Sequence, residues 1–139
     1  MKRQKRKRVL FVCVGNCCRS QMAEGFAAHH GRDVLAAASS GLAPAGVVVD
    51  PTVRAMSEKN IDISSQYSKA FRLDEANESD LVVNMSGYDL PPGIRVPVVE
   101  WDVQDPIGEP AEVYAQVRDQ IESLVEKLIV DLRGQPLKA

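Results

Sequence analysis

The chain is short of cysteine: it has three in 139 residues, at positions 13, 17 and 18, and none beyond. Thiols crowded into one short stretch cannot staple distant parts of a fold, which excludes a disulfide-framed secreted scaffold. They also lack the paired Cys-x2-Cys spacing and the fourth ligand of a zinc site, so no metal is expected. No apolar run approaches the roughly 18 residues of a membrane span, and the N-terminus lacks the apolar stretch of a signal peptide. A membrane partner is therefore not expected, and a cytoplasmic location is. Basic residues are scarce outside the start of the chain. Lys2, Arg3, Lys5, Arg6, Lys7 and Arg8 fill six of the first eight positions, and the rest carries 11 basic against 19 acidic side chains. No aromatic residue is interleaved with these charges and no recognition helix follows them. Residues 1–8 are thus predicted to be a flexible, solvated leader, with nucleic acid not expected as a partner.

What remains suits one domain, residues 9–139, with a sizeable core: 45% of the chain is hydrophobic, and the length is too small for two ordinary domains. Val9 to Val12 is an unbroken apolar run of strand formers. Gln21 to His30 has a helical rhythm ended by Gly31, with the adjacent His29 and His30 at an exposed helix end. Val34 to Ala38 is predicted as a second strand and Gly41 to Gly46 as a loop. Asp50-Pro51 caps and opens a second helix closed by Asn60. Ser68 is predicted to cap a third helix running to about Glu78. Strands follow at Asp80 to Met85 and at Ile94 to Val99, where Pro97 argues for a sheet edge. Pro110 opens a last helix with Val113, Val117, Ile121, Leu124, Val125, Leu128 and Leu132 inward and Gly134 at its end. Strands separated by helices imply an α/β, three-layer α/β/α fold with a four-stranded parallel sheet.

Cys13 and Arg19 stand out against this frame. The segment Cys13-Val14-Gly15-Asn16-Cys17-Cys18-Arg19-Ser20 joins the end of the first strand to the start of a helix, where backbone N–H groups have no intrahelical partner and point toward bound anions. Ligands of such sheets bind outside the carboxyl ends of the strands, where the crossover direction reverses. Gly15 and Asn16 tolerate the positive φ that such a loop needs. A cysteine at a helix N-terminus beside a guanidinium loses its proton more readily than a free one, as a nucleophile must. Arg19 offers a planar fork for two phosphoryl oxygens. Ser20 can donate a hydrogen bond to the sulfur or cap the helix. The segment after Val99 leaves the fourth strand from the same side, so Asp102 and Asp105 can reach the loop from far along the chain.

These residues resemble the low-molecular-weight protein tyrosine phosphatases and the related bacterial arsenate reductases, which share a Cys-x5-Arg-Ser loop after the first strand. The resemblance extends through Ser39-Ser40-Gly41, Asp50-Pro51 and Asn60-Ile61-Asp62-Ile63-Ser64 to Asp105-Pro106, and covers the chain from Arg8 to about Arg133. It implies a phosphate-binding loop formed by Val14, Gly15, Asn16, Cys17, Cys18, Arg19 and Ser20. It further implies Cys13 as nucleophile, Arg19 as clamp, Asp105 as general acid, and Cys18 as a redox partner of Cys13, with Cys17 the competing thiol. No cofactor is implied.

Two enzymatic readings follow. In one, a cysteinyl-phosphate forms and is hydrolysed, the substrate being a phosphorylated small molecule or a phosphoprotein such as one carrying phosphotyrosine. In the other, the same thiolate attacks arsenate and an external thiol reductant completes the reduction. Thioredoxin-linked reductases of the family carry two cysteines well downstream of the loop, whereas this chain has Ser86 near the first of those positions. Gln21-Met22-Ala23-Glu24-Gly25 resembles the reductase side, and Ile107-Gly108 stands where the phosphatases place aromatic residues. A third reading, a phosphate-binding module with a nucleic-acid arm, predicts salt-sensitive affinity and no turnover.

Overall fold

The computed structural model describes residues 5–134. Four parallel strands form one sheet in the order β2-β1-β3-β4: β1 is Lys7–Cys13, β2 Leu35–Gly41, β3 Leu81–Asn84 and β4 Val98–Glu100. The helices are α1 Arg19–His30, α2 Asp50–Ser57, α3 Leu73–Glu78 and α4 Ala111–Arg133. This is the expected α/β architecture. Because the chain leaves β1 first toward β2 and later toward β3 on its other side, the carboxyl end of β1 is the switch point of the sheet.

The two faces are covered unequally. Val9, Phe11 and Val83 point to a large core shared with Met22, Phe26, Met56, Ile121 and Val125, so α1, α2 and α4 lie on one face. The alternate residues Leu10, Val12 and Val82 meet Ala76 of α3 together with Phe71, Leu90, Ile94 and Val96 from connecting segments. That second layer is one short helix plus loops. No helix among the described residues is long and apolar enough to cross a membrane.

Several boundaries differ from the expected ones for local reasons. β1 begins at Lys7, where the Lys7 N–H donates to the Val34 carbonyl; Arg8 N–H donates to the Asp80 carboxylate. Two residues assigned to the leader therefore belong to the sheet; positions 1–4 lie outside the described residues. α1 starts at Arg19, two residues early, and β2 runs on to Gly41. Asp50 is the first residue of α2, and its flanking residue Val49 makes no side-chain cap. Ser68 does not cap a helix. Its hydroxyl donates to the Gly15 carbonyl, while residues around Ala70 pair with Gly41, so the chain stays extended until α3 opens at Leu73. β4 is only three residues long because Pro97 has no N–H; its carbonyl still accepts from Val82. β4 is the edge strand that Pro97 suggested. In α4, Tyr114, Arg118 and Ile129 join Val117, Ile121, Val125 and Leu132 in burial, and Val113, Leu124 and Leu128 pack at the flanks. Nor is His30 a free helix end: it stacks on Phe26 and bonds Glu122 at 3.0 Å.

Candidate active site

The loop from Cys13 to Arg19 turns its carbonyls away from its own centre. Those of Cys13, Val14 and Gly15 accept from the N–H groups of Leu42, Ala43 and Ala45, and that of Cys17 accepts from the Thr52 hydroxyl at 2.9 Å. No peptide bond is cis. In a trans peptide the N–H points opposite to the carbonyl, so the N–H groups of Val14, Gly15, Asn16 and Cys18 are directed to the other side. None of the four has an acceptor among the described residues. They form a concave set of donors suited to a tetrahedral oxyanion.

Asn16 holds this shape. It is fully buried with φ of 48°, the left-handed conformation expected of this position. Its Nδ2 donates to Ser20 Oγ at 2.7 Å and to Ser39 Oγ at 3.0 Å; its Oδ1 accepts from the Lys69 N–H at 2.8 Å and from Gln21 Nε2 at 2.9 Å. Since Asn16 fills an acceptor site on Ser20, the Ser20 proton is free for Cys13 Sγ, 2.9 Å away. The Ser39 hydroxyl in turn donates to the Glu24 carboxylate, which pairs with Lys69 at 3.7 Å. Gly41 admits the loop: a Cβ there would lie 2.6 Å from the Val14 carbonyl oxygen and 2.8 Å from the Asn16 nitrogen.

Arg19 is buried at the head of α1. Its Nη1 donates to the carbonyls of Met85 and Val103, which follow β3 and β4, and its Nη2 lies 3.5 Å from Asp105 Oδ2. The Asp105 side chain is 42% exposed. The structure thus brings Cys13, Arg19, Ser20 and Asp105 together. Asp102 has a different setting: its carbonyl accepts from Gln120, and it lines a cavity of about 250 Å³ with Glu100, Trp101 and Gly87 that also reaches Met85 and Val103, whose carbonyls hold Arg19. Ser86 donates to Asn84 Oδ1 at 2.7 Å.

The side chains of Cys17 and Cys18, within the loop, are both buried, with their sulfurs 3.6 Å apart. Cys18 Sγ also lies 3.9 Å from the Tyr114 hydroxyl. The hydrogen bond from Cys17 lowers the Cys18 thiol to about 7; burial opposes this, and Thr52 and Tyr114 assist. Cys17 is driven strongly upward by that same bond, by burial, and by the negative charge of Cys18, Cys13 and Asp105. Burial, and then Cys18, raise Tyr114 as well.

Residues 8–90 match the family model described as low molecular weight phosphotyrosine protein phosphatase. The chain belongs to this family. Among similar proteins is the glutaredoxin arsenate reductase of Synechocystis sp., 40% identical over 131 residues, spanning 91% of this chain and 98% of that one. A solved arsenate reductase in a phosphate binding state superposes with a TM-score of 0.81 at 38% identity, covering 91% and 98% of the two chains. The low molecular weight protein tyrosine phosphatase of T. tengcongensis does so at 0.77 and 33% identity, covering 91% and 99%. The family thus holds proteins named for either activity.

Sequence reasoning reached the loop, Arg19 and Asp105. It missed Asn16 as the organiser of a buried network, and with it Ser39, Glu24 and Lys69, because only the fold brings those segments together. It also missed Tyr114 and Thr52. The aromatic side chains sought after Asp105-Pro106 are absent there, and Ile107 is half exposed. Tyr67 and Tyr88, each about two-thirds exposed, come from other segments: Tyr67 precedes the Ser68 bonded to Gly15, and Tyr88 follows the Met85 bonded to Arg19.

Proposed function

We propose that this chain hydrolyses phosphomonoesters, protein tyrosine phosphate among them, through a cysteinyl-phosphate on Cys13. The observation that carries the reading is the exposed Asp105 carboxyl held 3.5 Å from the buried Arg19, beside a loop with free N–H donors. Cys13 Sγ attacks phosphorus in line. The N–H groups of residues 14–18 and the Arg19 fork hold the equatorial oxygens, where fixed donors do most of the work of phosphoryl transfer. Ser20 donates to the sulfur, stabilising it as attacking and leaving group. Asp105 gives its proton to the leaving oxygen and then takes one from the water that cleaves the intermediate. No cofactor enters. The reading goes with a cytoplasmic location, where thiols stay reduced.

The Cys17–Cys18 pair favours a second reading, arsenate reduction with an external thiol. Cys18, brought to about 7, is a nucleophile able to release arsenic from Cys13, and similar proteins are named arsenate reductases. Ser86 supplies no thiol in the place of a downstream cysteine. A side-by-side assay separates the two: aryl phosphate hydrolysis without thiol, against arsenite release that requires one. Hydrolysis that vanishes in Cys13→Ser supports the first. Thiol-dependent arsenite release without ester hydrolysis would replace it with the second.

A further inference from the structure

We propose that Cys17 and Cys18 are the terminal dithiol of a relay inside the phosphate loop: a disulfide first made between Cys13 and Cys18 is passed to Cys17–Cys18, which returns Cys13 to its free state. The inference rests on the thiolate chemistry of Cys13 proposed above and holds for either enzymatic reading. It departs from the pairing that the family resemblance implies, in which the Cys13–Cys18 link is the end state.

Geometry supplies the second step. The Cys17 and Cys18 sulfurs are 3.6 Å apart, against about 2.05 Å in a disulfide; as neighbours across a trans peptide their Cα atoms stand about 3.8 Å apart, closer than in most disulfides, so the bond closes with a local adjustment of the backbone. Cys17 is held in place from two directions. Its carbonyl is fixed by Thr52, and its sulfur packs so closely over Gly15 that a Cβ there would lie 2.9 Å from it. The Tyr114 hydroxyl lies 3.9 Å from Cys18 Sγ and can donate to that sulfur when it is negative.

The order of events follows from the coupling between the thiols. In the reduced loop the 3.6 Å contact with Cys17 brings the Cys18 thiol down to about 7 while Cys17 is pushed upward, so Cys18 is the more readily ionised of the two and attacks first. Once Cys18 is bonded to Cys13, both sulfurs have lost their negative charge. The hydrogen bond to Cys18 and the two charges that hold the Cys17 proton are gone together, and Cys17 becomes the next nucleophile. Its target is Cys18, and the leaving group is Cys13, whose sulfur Ser20 receives with a hydrogen bond.

Each step balances. Peroxide oxidises the Cys13 thiolate to a sulfenic acid; Cys18 attacks that sulfur and hydroxide leaves as water, giving Cys13–Cys18. Where arsenate is the oxidant, Cys18 attacks Cys13 sulfur of the thio-arsenate and the S–As electron pair stays on arsenic, which leaves as arsenite. Cys17 then gives its proton to solvent, bonds to Cys18 and displaces the Cys13 thiolate. An external dithiol returns two electrons to Cys17–Cys18 by exchange.

The test treats the full chain with stoichiometric peroxide, alkylates free thiols and isolates the tryptic peptide of residues 9–19, which contains all three cysteines. Fragmentation then locates the alkyl group. The expected wild-type product carries a Cys17–Cys18 disulfide and the alkyl group on Cys13, with hydrolysis, assayed after peroxide and before alkylation, largely retained. Cys17→Ser should instead stop at Cys13–Cys18, carry no alkyl group, and lose its own starting activity until dithiothreitol is added. An alkyl group on Cys17 of the wild type, with Cys13 and Cys18 linked, overturns the relay. So does formation of Cys17–Cys18 at the wild-type rate in Cys13→Ser, where the relay expects a rate at least about tenfold slower because the reactive entry thiol is missing. Both failures leave the phosphatase reading standing, since that is scored on the wild type before oxidation.

Discussion

Asp105 presents its two carboxyl oxygens to different partners: Oδ2 stands 3.5 Å from the Arg19 guanidinium, and Oδ1 accepts the Ile107 N–H at 3.1 Å. The turn made by the second bond holds the carboxyl group in the orientation set by the first. Asp105→Asn keeps an oxygen for Ile107 but has no proton to give to a leaving group. Hydrolysis of esters with basic leaving groups should slow by a factor on the order of 10² to 10⁴, and activated aryl esters should slow much less. Asp102→Asn should cost little and show no leaving-group dependence, because among the described residues it is the Asp105 carboxyl that pairs with Arg19. Rates across a series of phenols check this, and a larger, graded defect in Asp102→Asn would exchange the two roles.

Ser20 has one hydroxyl proton, and Asn16 directs it to Cys13 by occupying an acceptor site on the same oxygen. A hydrogen bond to a charged group contributes about 1.5–3 kcal/mol. Ser20→Ala should therefore lower kcat by a factor on the order of 10 to 10². Asn16→Ala, which removes four hydrogen bonds from the loop, should be worse and should also weaken inhibition by inorganic phosphate. A Ser20→Ala enzyme with wild-type kcat across the pH range would mean that the bond does not act on the nucleophile.

The parts of this site that were legible in the sequence are those in which chemistry is local. Cys13, Arg19 and Ser20 lie in one turn, and the apolar run before them and the helical rhythm after them state where that turn sits. Asp105 was reachable because a parallel sheet gathers its loops at one end, and because the Asp-Pro motif resembles a known family's. Helix α3 was misjudged for the opposite reason. Ser68 has the right residue type and spacing for a cap, but its hydroxyl is used on Gly15, and the following residues pair with Gly41. The network of Asn16, Ser39, Glu24 and Lys69 was invisible because each member is ordinary in its own segment. Tyr114 was missed for a simpler reason: the inward stripe of α4 was read through its aliphatic residues, and the aromatic at its first turn faces Cys18.

Gly41 tests how tightly the loop is held from below. A methyl group at this position meets backbone atoms of Val14 and Asn16, which cannot swing aside as a flexible side chain would. Gly41→Ala should cost about 1–3 kcal/mol of stability through overpacking. It should also displace the N–H groups that face the oxyanion. Denaturant unfolding reads the first effect and the inhibition constant of inorganic phosphate the second. Unchanged phosphate binding in a destabilised variant would separate the two and show that the loop keeps its shape without close support from β2.

The Cys17–Cys18 contact has a pH signature of its own. The hydrogen bond from Cys17 is the largest influence bringing the Cys18 thiol down to about 7, so Cys18 is mainly thiolate above that pH and mainly thiol below it. Its reaction with a small neutral alkylating reagent should rise through pH 7 and level off above it. Cys17→Ala removes the principal donor, while burial, which disfavours the charged form, remains. The midpoint should then move upward, and reactivity at neutral pH should fall. Cys17→Ser retains a hydroxyl that can donate to the same sulfur and should keep much of the wild-type profile, although it cannot take part in disulfide exchange. Rates measured on the peptide of residues 9–19 report Cys18 separately from Cys13. A midpoint near 7 in Cys17→Ala would shift the source of the effect to Tyr114 and Thr52; Tyr114→Phe would then carry the upward shift instead.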